Sequence, residues 1–388
     1  MAKRRKKKKR ARLVILILVI CIFAFIGCEI IGEDKTEKKE AQDETSKVEI
    51  VAVGDNLYHD QIIKYGINND GTRDYTSIYE HIKEDISDAD IAIVNQETVL
   101  GGDSMELKGY PIFNTPWEAG DALEDAGFDI LTCASNHSMD MGEKGLQKEF
   151  EFFENHKDLK EIGINKTEEE YNSIDYYKKN GIKFALLNYT YGTNGISQPK
   201  GKSWSVNLLD EDKITKDVET AKENADVVIV FPHWGVEYST DISKEQKKYT
   251  KLFSDLGVDI VIGAHPHVIE PVKWIENKET GKKMLVYYSL GNFVSNQPDA
   301  IMQLGAMAKI KIEKIGDKVS IKEASAVPLV THVVDNPLFV RVYKLDDYTD
   351  ELANKNHSHS NVKYFKEKSK EILGDFVELK GFFVKWCW

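Results

Sequence analysis

The sequence predicts a layered α/β sandwich with mixed sheets. Short runs rich in β-branched residues recur along the chain, polar helix-like stretches separate them, and two late segments alternate apolar with polar residues. The runs come in the order "VEIVAV", "ADIAIV", "FDILTCA", "IKFALLNYT", "ADVVIVF", "VDIVIGA" and "MLVYYSL". Each has a continuous apolar stretch, of two residues in "FDILTCA" and at least three in the others, so each is expected to be covered on both faces of its sheet. Between them, "YTSIYEHIKEDISD" and "SKEQKKYTKLFSDLG" read as helices. After about residue 303, "GAMAKIKIEKI" and "KVSIKEASAVPLV" carry a two-residue period and are expected to close the sheet as antiparallel strands.

The bulk properties bound the function. The chain has 388 residues, 41% of them apolar, enough for one large domain with a sizeable core. Its net charge is −12, yet residues 1–12 hold nine Lys or Arg and no acid, which leaves −21 on the remainder. So acidic a body makes nucleic acid an unsuitable partner. Residues 13–28 are uncharged and almost wholly apolar, and behind a basic segment they predict a transmembrane signal anchor. The positive charges keep residues 1–12 cytoplasmic and send the rest to the extracytoplasmic face as a single-pass membrane protein. Lipid attachment at Cys28 and cleavage are the alternatives. Residues 29–46 form a charged linker, 47–345 the folded domain, and 346–388 a tail of uncertain structure. The four Cys offer neither a disulfide framework nor zinc-ligand spacing.

Metal-binding side chains gather where the predicted strands finish. "AVGD" ends in Asp55, and "IVNQE" ends in Asn95 and Glu97. "TCASNHSMDMG" supplies Asn136, His137 and Asp140; "VIVFPHWGVEY" supplies His233 and Glu237; "VIGAHPHV" supplies His265 and His267. In open α/β sheets the carboxyl edge of the strands is where ligands bind. A residue before proline is pushed to extended backbone, so His265 and His267 are expected to aim to one side. Imidazoles mixed with carboxylates suit manganese, zinc or iron better than calcium, as one or two divalent ions. Plainer readings stand beside these. Glu237 could be a solvated residue, Asp140 a helix cap, Trp234 and Tyr238 packing residues, and His357 and His359 surface histidines.

The motifs "GDNLYH", "NQE", "SNHSMDMGEKGL", "HWGVEY", "GAHPHVIEPV" and "YSLGNF" occur in an order that resembles the CapA family of capsule-synthesis (poly-γ-glutamate biosynthesis) proteins. That family is similar in fold to calcineurin-like metallophosphatases. The resemblance implies a metallophosphatase-like sandwich in which Asp55 and His267 bind a first metal and Asn136, His233 and His265 a second, with Glu97 bridging. It implies His137 as an unligated general acid oriented by Asp140. Asn292 and Glu237 are read from their own positions as substrate-binding candidates, with a tight Gly-Asn turn the plainer reading at Asn292. This sequence departs from the phosphatase pattern at Leu57, where a histidine is usual, so the resemblance predicts a weakened first site unless His59 replaces it. Gln96 and Ser135 are further departures. Two functions follow. One is a metal-dependent hydrolase or transferase acting on a phosphoester or an anionic cell-surface polymer. The other is a non-catalytic assembly, export or anchoring partner of a membrane polymer synthase.

Overall fold

In a computed structural model of the chain, residues 45–380 are described. The anchor at 13–28, Cys28 and the linker up to residue 44 lie outside the described residues. Among the described residues, no helix is long and apolar enough to cross a membrane.

Among the described residues, fourteen strands build two mixed sheets. The first has the order β14–β13–β12–β1–β2–β3–β4. Its parallel half is β1 (Thr45–Asn56), β2 (Ile91–Gln96), β3 (Ile130–Thr132) and β4 (Lys160–Ile162). Its antiparallel half is β12 (Leu304–Ile315), β13 (Lys318–Asp335) and β14 (Leu338–Lys344), the first two being the period-two segments. The short β11 (Asn292–Val294) joins the end of β1 in parallel. The second sheet has the order β5–β6–β7–β8–β10–β9, with a parallel core of β6 (Ile182–Thr190), β7 (Val227–His233), β8 (Ile260–Ile262) and β10 (Lys283–Tyr287). Its antiparallel edges are β5 (Asp175–Lys179) and β9 (Val272–Glu276).

The apolar runs explain the layering. Alternate residues of one strand enter different cores. From β1, Val48, Ile50 and Ala52 meet Phe184, Leu186, Ile229 and Ile260 of the second sheet. Val51 and Val53 instead join Ala119, Leu123 and Phe152 from the helices α3 and α4 outside the first sheet. Those helices are preceded by α1 (Asp60–Tyr65) and α2 (Lys83–Ser87); α3 is Trp117–Ala126 and α4 is Gly142–Asn155. On the far side, Ala185, Val228 and Val230 pack against Ile214, Val218 and Phe253. The latter come from α6 (Glu211–Asn224) and α7 (Lys244–Leu256), which follow the single turn α5 (Glu168–Tyr171). The arrangement is helix, sheet, sheet, helix.

Residues 346–380 are packed onto the domain. Helices α8 (Asp350–Lys355) and α9 (Val362–Leu373) send Ala353, Phe365 and Leu373 into the central core, and Val377 bridges to Ala326. His357 is also no surface histidine: its side chain is largely buried between Asp335 and Gln303.

Candidate metal centre and cleft

The carboxyl ends of β1, β2, β3 and β7, with the loops after β3 and β8, converge on one point. Two close approaches make this possible. Asp55 stands opposite Asn95 on β2 and Asn292 on β11. A Cβ on Gly54 would lie 1.8 Å from the Gly291 carbonyl oxygen, so only glycine lets those chains meet beside Asp55. The end of β7 is tied to the loop after β8 by Ala264 N–H donating to Pro232 O and Trp234 N–H to Ala264 O, both at 3.1 Å. His233 and His265 are thereby set side by side, their ring centroids 4.9 Å apart.

His265 does not take the extended backbone expected before Pro266. Its φ is +100°, and that of His267 is +60°. Left-handed backbone at a non-glycine residue costs of order 1–3 kcal/mol and persists where surrounding structure imposes it. Here His265 N–H donates to Asp55 Oδ1 at 3.2 Å, and His267 Nδ1 lies 3.0 Å from Asp55 Oδ2. The two imidazoles still converge, with ring centroids 6.0 Å apart, but a tight turn aims them.

Glu97 is the hub. It is fully buried, and neither carboxylate oxygen has a hydrogen-bond partner. Its Oε1 lies 3.8 Å from His233 Nε2 and 3.7 Å from His267 Nε2. Two overlapping triads result, Glu97–His233–His265 and Asp55–Glu97–His267, each able to put one ligand atom per residue within 4.8 Å of the others. Asn136 completes the first, its Oδ1 2.8 Å from His233 Nε2. The Nδ1 atoms of His233 and His265 are buried without partners. Burial drives both imidazoles toward the neutral form, His233 well below its ordinary value and His265 down to about 3, with neighbouring histidines adding to the effect. Burial pushes the Glu97 carboxyl strongly up. Burial also works to lower His267, but Glu97 and then Asp55 outweigh it and hold it up to about 9. Unpaired acceptors clustered in a dry interior are costly unless a cation meets them. The residues fit a divalent metal.

The supporting contacts are specific. Asn95 Nδ2 donates to Asp55 Oδ1 at 2.9 Å, and Thr132 Oγ1 donates to Asn95 Oδ1 at 3.0 Å. Ser135 Oγ donates to the Glu97 carbonyl at 2.6 Å. His137 stands beside the triads, its Nδ1 2.7 Å from Asp140 Oδ2. Asp140 also accepts from Phe113 N–H at 2.7 Å, and Met141 rather than Asp140 occupies the cap position of α4.

His137, Asp140, Asn136 and His267 open onto a cleft of about 400 Å³, which Glu237 and Tyr238 also line. Asn292 does not line it. Asn292 is buried, with Nδ2 donating to Gln297 Oε1 and Met302 O at 2.8 Å each, and Gln297 stands at the cleft in its place. Leu57 forms part of the cleft wall, and His59 lies outside both triads. Burial pushes His59 down to about 4, and its ring packs edge-on against Phe113. Sequence reasoning missed two wall segments. In one, Phe113 meets His137 edge-on at 4.7 Å. In the other, Asn194 accepts from Asn136 Nδ2 at 3.3 Å and lies 3.4 Å from His137 Nδ1. The Asn-Gly pair at 194–195 was the available signal of a turn there.

Fold and site together define a two-sheet α/β protein with a buried carboxylate–imidazole cluster at its strand ends. The chain belongs to the bacterial capsule synthesis protein family PGA_cap, whose family model matches residues 49–297. It is 31% identical to the PGA biosynthesis protein CapA of Bacillus subtilis (strain 168) over 219 residues, 55% of this chain and 56% of that one. The match therefore spans little more than half of that relative. It is 28% identical to the capsule biosynthesis protein CapA of Bacillus anthracis over 316 residues, 78% of this chain and 74% of the relative. Among solved structures, a phosphatase from Mycoplasma pneumoniae is 14% identical at TM-score 0.46, covering 74% of this chain and 95% of that one. The calcineurin-like phosphoesterase YfkN from Bacillus subtilis is 14% identical at TM-score 0.43, covering 84% and 99%.

Proposed function

We propose that this protein is a metal-dependent hydrolase or transferase of capsule biosynthesis, anchored in the cell membrane with its folded domain on the extracytoplasmic face. The basic residues 1–12 before the apolar 13–28 support the topology. The observation that carries the chemistry is the buried Glu97 carboxylate, unpartnered, 3.8 and 3.7 Å from two imidazoles and next to a separate His–Asp pair. Glu97, Asn136, His233 and His265 would hold one divalent ion, and Asp55, Glu97 and His267 a second. Such an ion supplies Lewis acidity toward a phosphoryl or acyl oxygen.

The chain's own groups do the rest. Asp140 fixes His137 with the proton on Nδ1, leaving Nε2 as the nitrogen that faces chemistry. His137 in its charged form can pass the Nε2 proton to a departing oxygen or nitrogen and remain protonated on Nδ1. Asn194 steadies Asn136 by accepting from its Nδ2. Phe113 covers the His137 ring and limits water there. The partners this reading implies are a membrane-bound polymer synthase and its product.

The competing reading is a non-catalytic assembly partner that keeps the cluster for structure. What favours it is Asp55, whose carboxylate is already satisfied by Asn95, His265 and His267. His137→Ala separates the two. Full-length protein in detergent should keep its metal content while turnover of a generic phosphodiester falls about 10²–10⁴-fold, the usual contribution of a general acid. Turnover equal to the parent's would remove the acid role.

A further inference from the structure

The cleft that serves the cluster has an unexpected lining for a protein of polyanion biosynthesis. Among the described residues that line it, none is Lys or Arg, and two carboxylates, Asp140 and Glu237, do. Asp140 is engaged with His137 and Phe113 N–H. Glu237 is exposed. Beside it, Tyr110 is 74% exposed and Tyr238 49%, so two phenol rings stand open at the mouth.

These groups are held in place. Gly109 N–H donates to Asp60 Oδ1 and Phe113 N–H to Asp140 Oδ2, both at 2.7 Å, which clamps the loop carrying Tyr110 at either end. Tyr238 N–H donates to Pro266 O at 2.8 Å, and its ring lies 5.9 Å from that of His267. Glu237, Tyr110 and Tyr238 line the same cleft as His137 and His267, so mouth and cluster are continuous.

We infer that Glu237, with the rings of Tyr110 and Tyr238, forms an ammonium-binding subsite, so that the ligand held at the cluster is a zwitterion. It carries one anionic group with an amine or quaternary ammonium beside it. A carboxylate next to aromatic faces is the chemistry that recognises such cations. A run of glutamates fits poorly, because each further carboxylate would meet Glu237 or an apolar wall with no base to offset it. The inference rests on the reading of the cluster as a divalent-cation site and names the substrate class for it.

The test compares two isosteres, phosphocholine and 3,3-dimethylbutyl phosphate, which differ in the charge of one atom. Binding to Mn²⁺-loaded full-length protein is measured by calorimetry, with metal content assayed on the same samples. Phosphocholine should bind about 5–10-fold more tightly, the range of an exposed cation–π contact joined to an ion pair. Glu237→Gln should bring the ratio near one, and Tyr110→Ser should lower it about two- to threefold. Both side chains are exposed, so melting temperatures should match the parent's. Equal affinities, a preference that survives in Glu237→Gln, or no binding of phosphocholine to metal-loaded protein overturns the subsite and leaves the cluster standing. A parent protein that takes up no Mn²⁺ overturns the reading beneath it.

Discussion

The two halves of the cluster share Glu97 but are prepared differently. In the Glu97–His233–His265 half, both histidines keep a buried Nδ1 without a partner, and burial holds both rings neutral. In the Asp55–Glu97–His267 half, Asn95 Nδ2 and His265 N–H donate to Asp55 Oδ1, and Oδ2 is taken by His267. A cation entering the first half meets the unpartnered oxygens of Glu97 and displaces one contact, that between His233 Nε2 and Asn136 Oδ1. One entering the second must displace hydrogen bonds already made. The difference teaches that similar donor sets bind unequally when one is satisfied from within, and it points to one tightly held metal rather than two.

Removing the shared carboxylate should break both halves and give the largest effect. In Glu97→Gln, metal per chain is expected to fall at least tenfold, in line with the loss of a ligand. Metal content unchanged by this substitution contradicts the hub. The contrast between the halves is sharpened by single-histidine variants. His233→Ala should lose nearly all of the tightly held metal, whereas His267→Ala should keep most of it. Equal losses would mean that the halves act as one site.

A smaller effect separates the site from its scaffold. Glu149 on α4 is buried, and burial pushes its carboxyl up to about 8, against a single hydrogen bond from Leu100 N–H. A folded-state value above the unfolded one means the native protein holds the proton more tightly. Its contribution is fully present below about pH 4.5 and is lost as pH rises through about 8. Urea unfolding at pH 5 and pH 8 should show a drop of a few kcal/mol that shrinks in Glu149→Gln. The same drop in both proteins would remove Glu149 as its source.

Much of this was legible in the sequence, because strands leave a local signature. The apolar runs of β1, β2 and β7 marked doubly covered strands, and the residues at their carboxyl ends fall at the carboxyl edges of the two packed sheets, Asp55 and Glu97 on the first and His233 on the second. The layered α/β fold was readable for that reason. Other features leave no such signature. The 109–113 and 191–196 loops reach the cleft through tertiary contacts such as Phe113 N–H to Asp140. The backbone of His265 and His267 was misread because contacts to Asp55 override the local preference before proline. Asn292 was misplaced for a related reason, since a turn residue can face inward when Gln297 and Met302 receive its amide.

The most direct test is anomalous diffraction from crystals of the protein grown with Mn²⁺. The account predicts a strong peak bounded by the side chains of Glu97, Asn136, His233 and His265, and a weaker peak or none beside Asp55 and His267. Density for manganese only at surface carboxylates, with the Glu97 pocket empty at saturating metal, would contradict it.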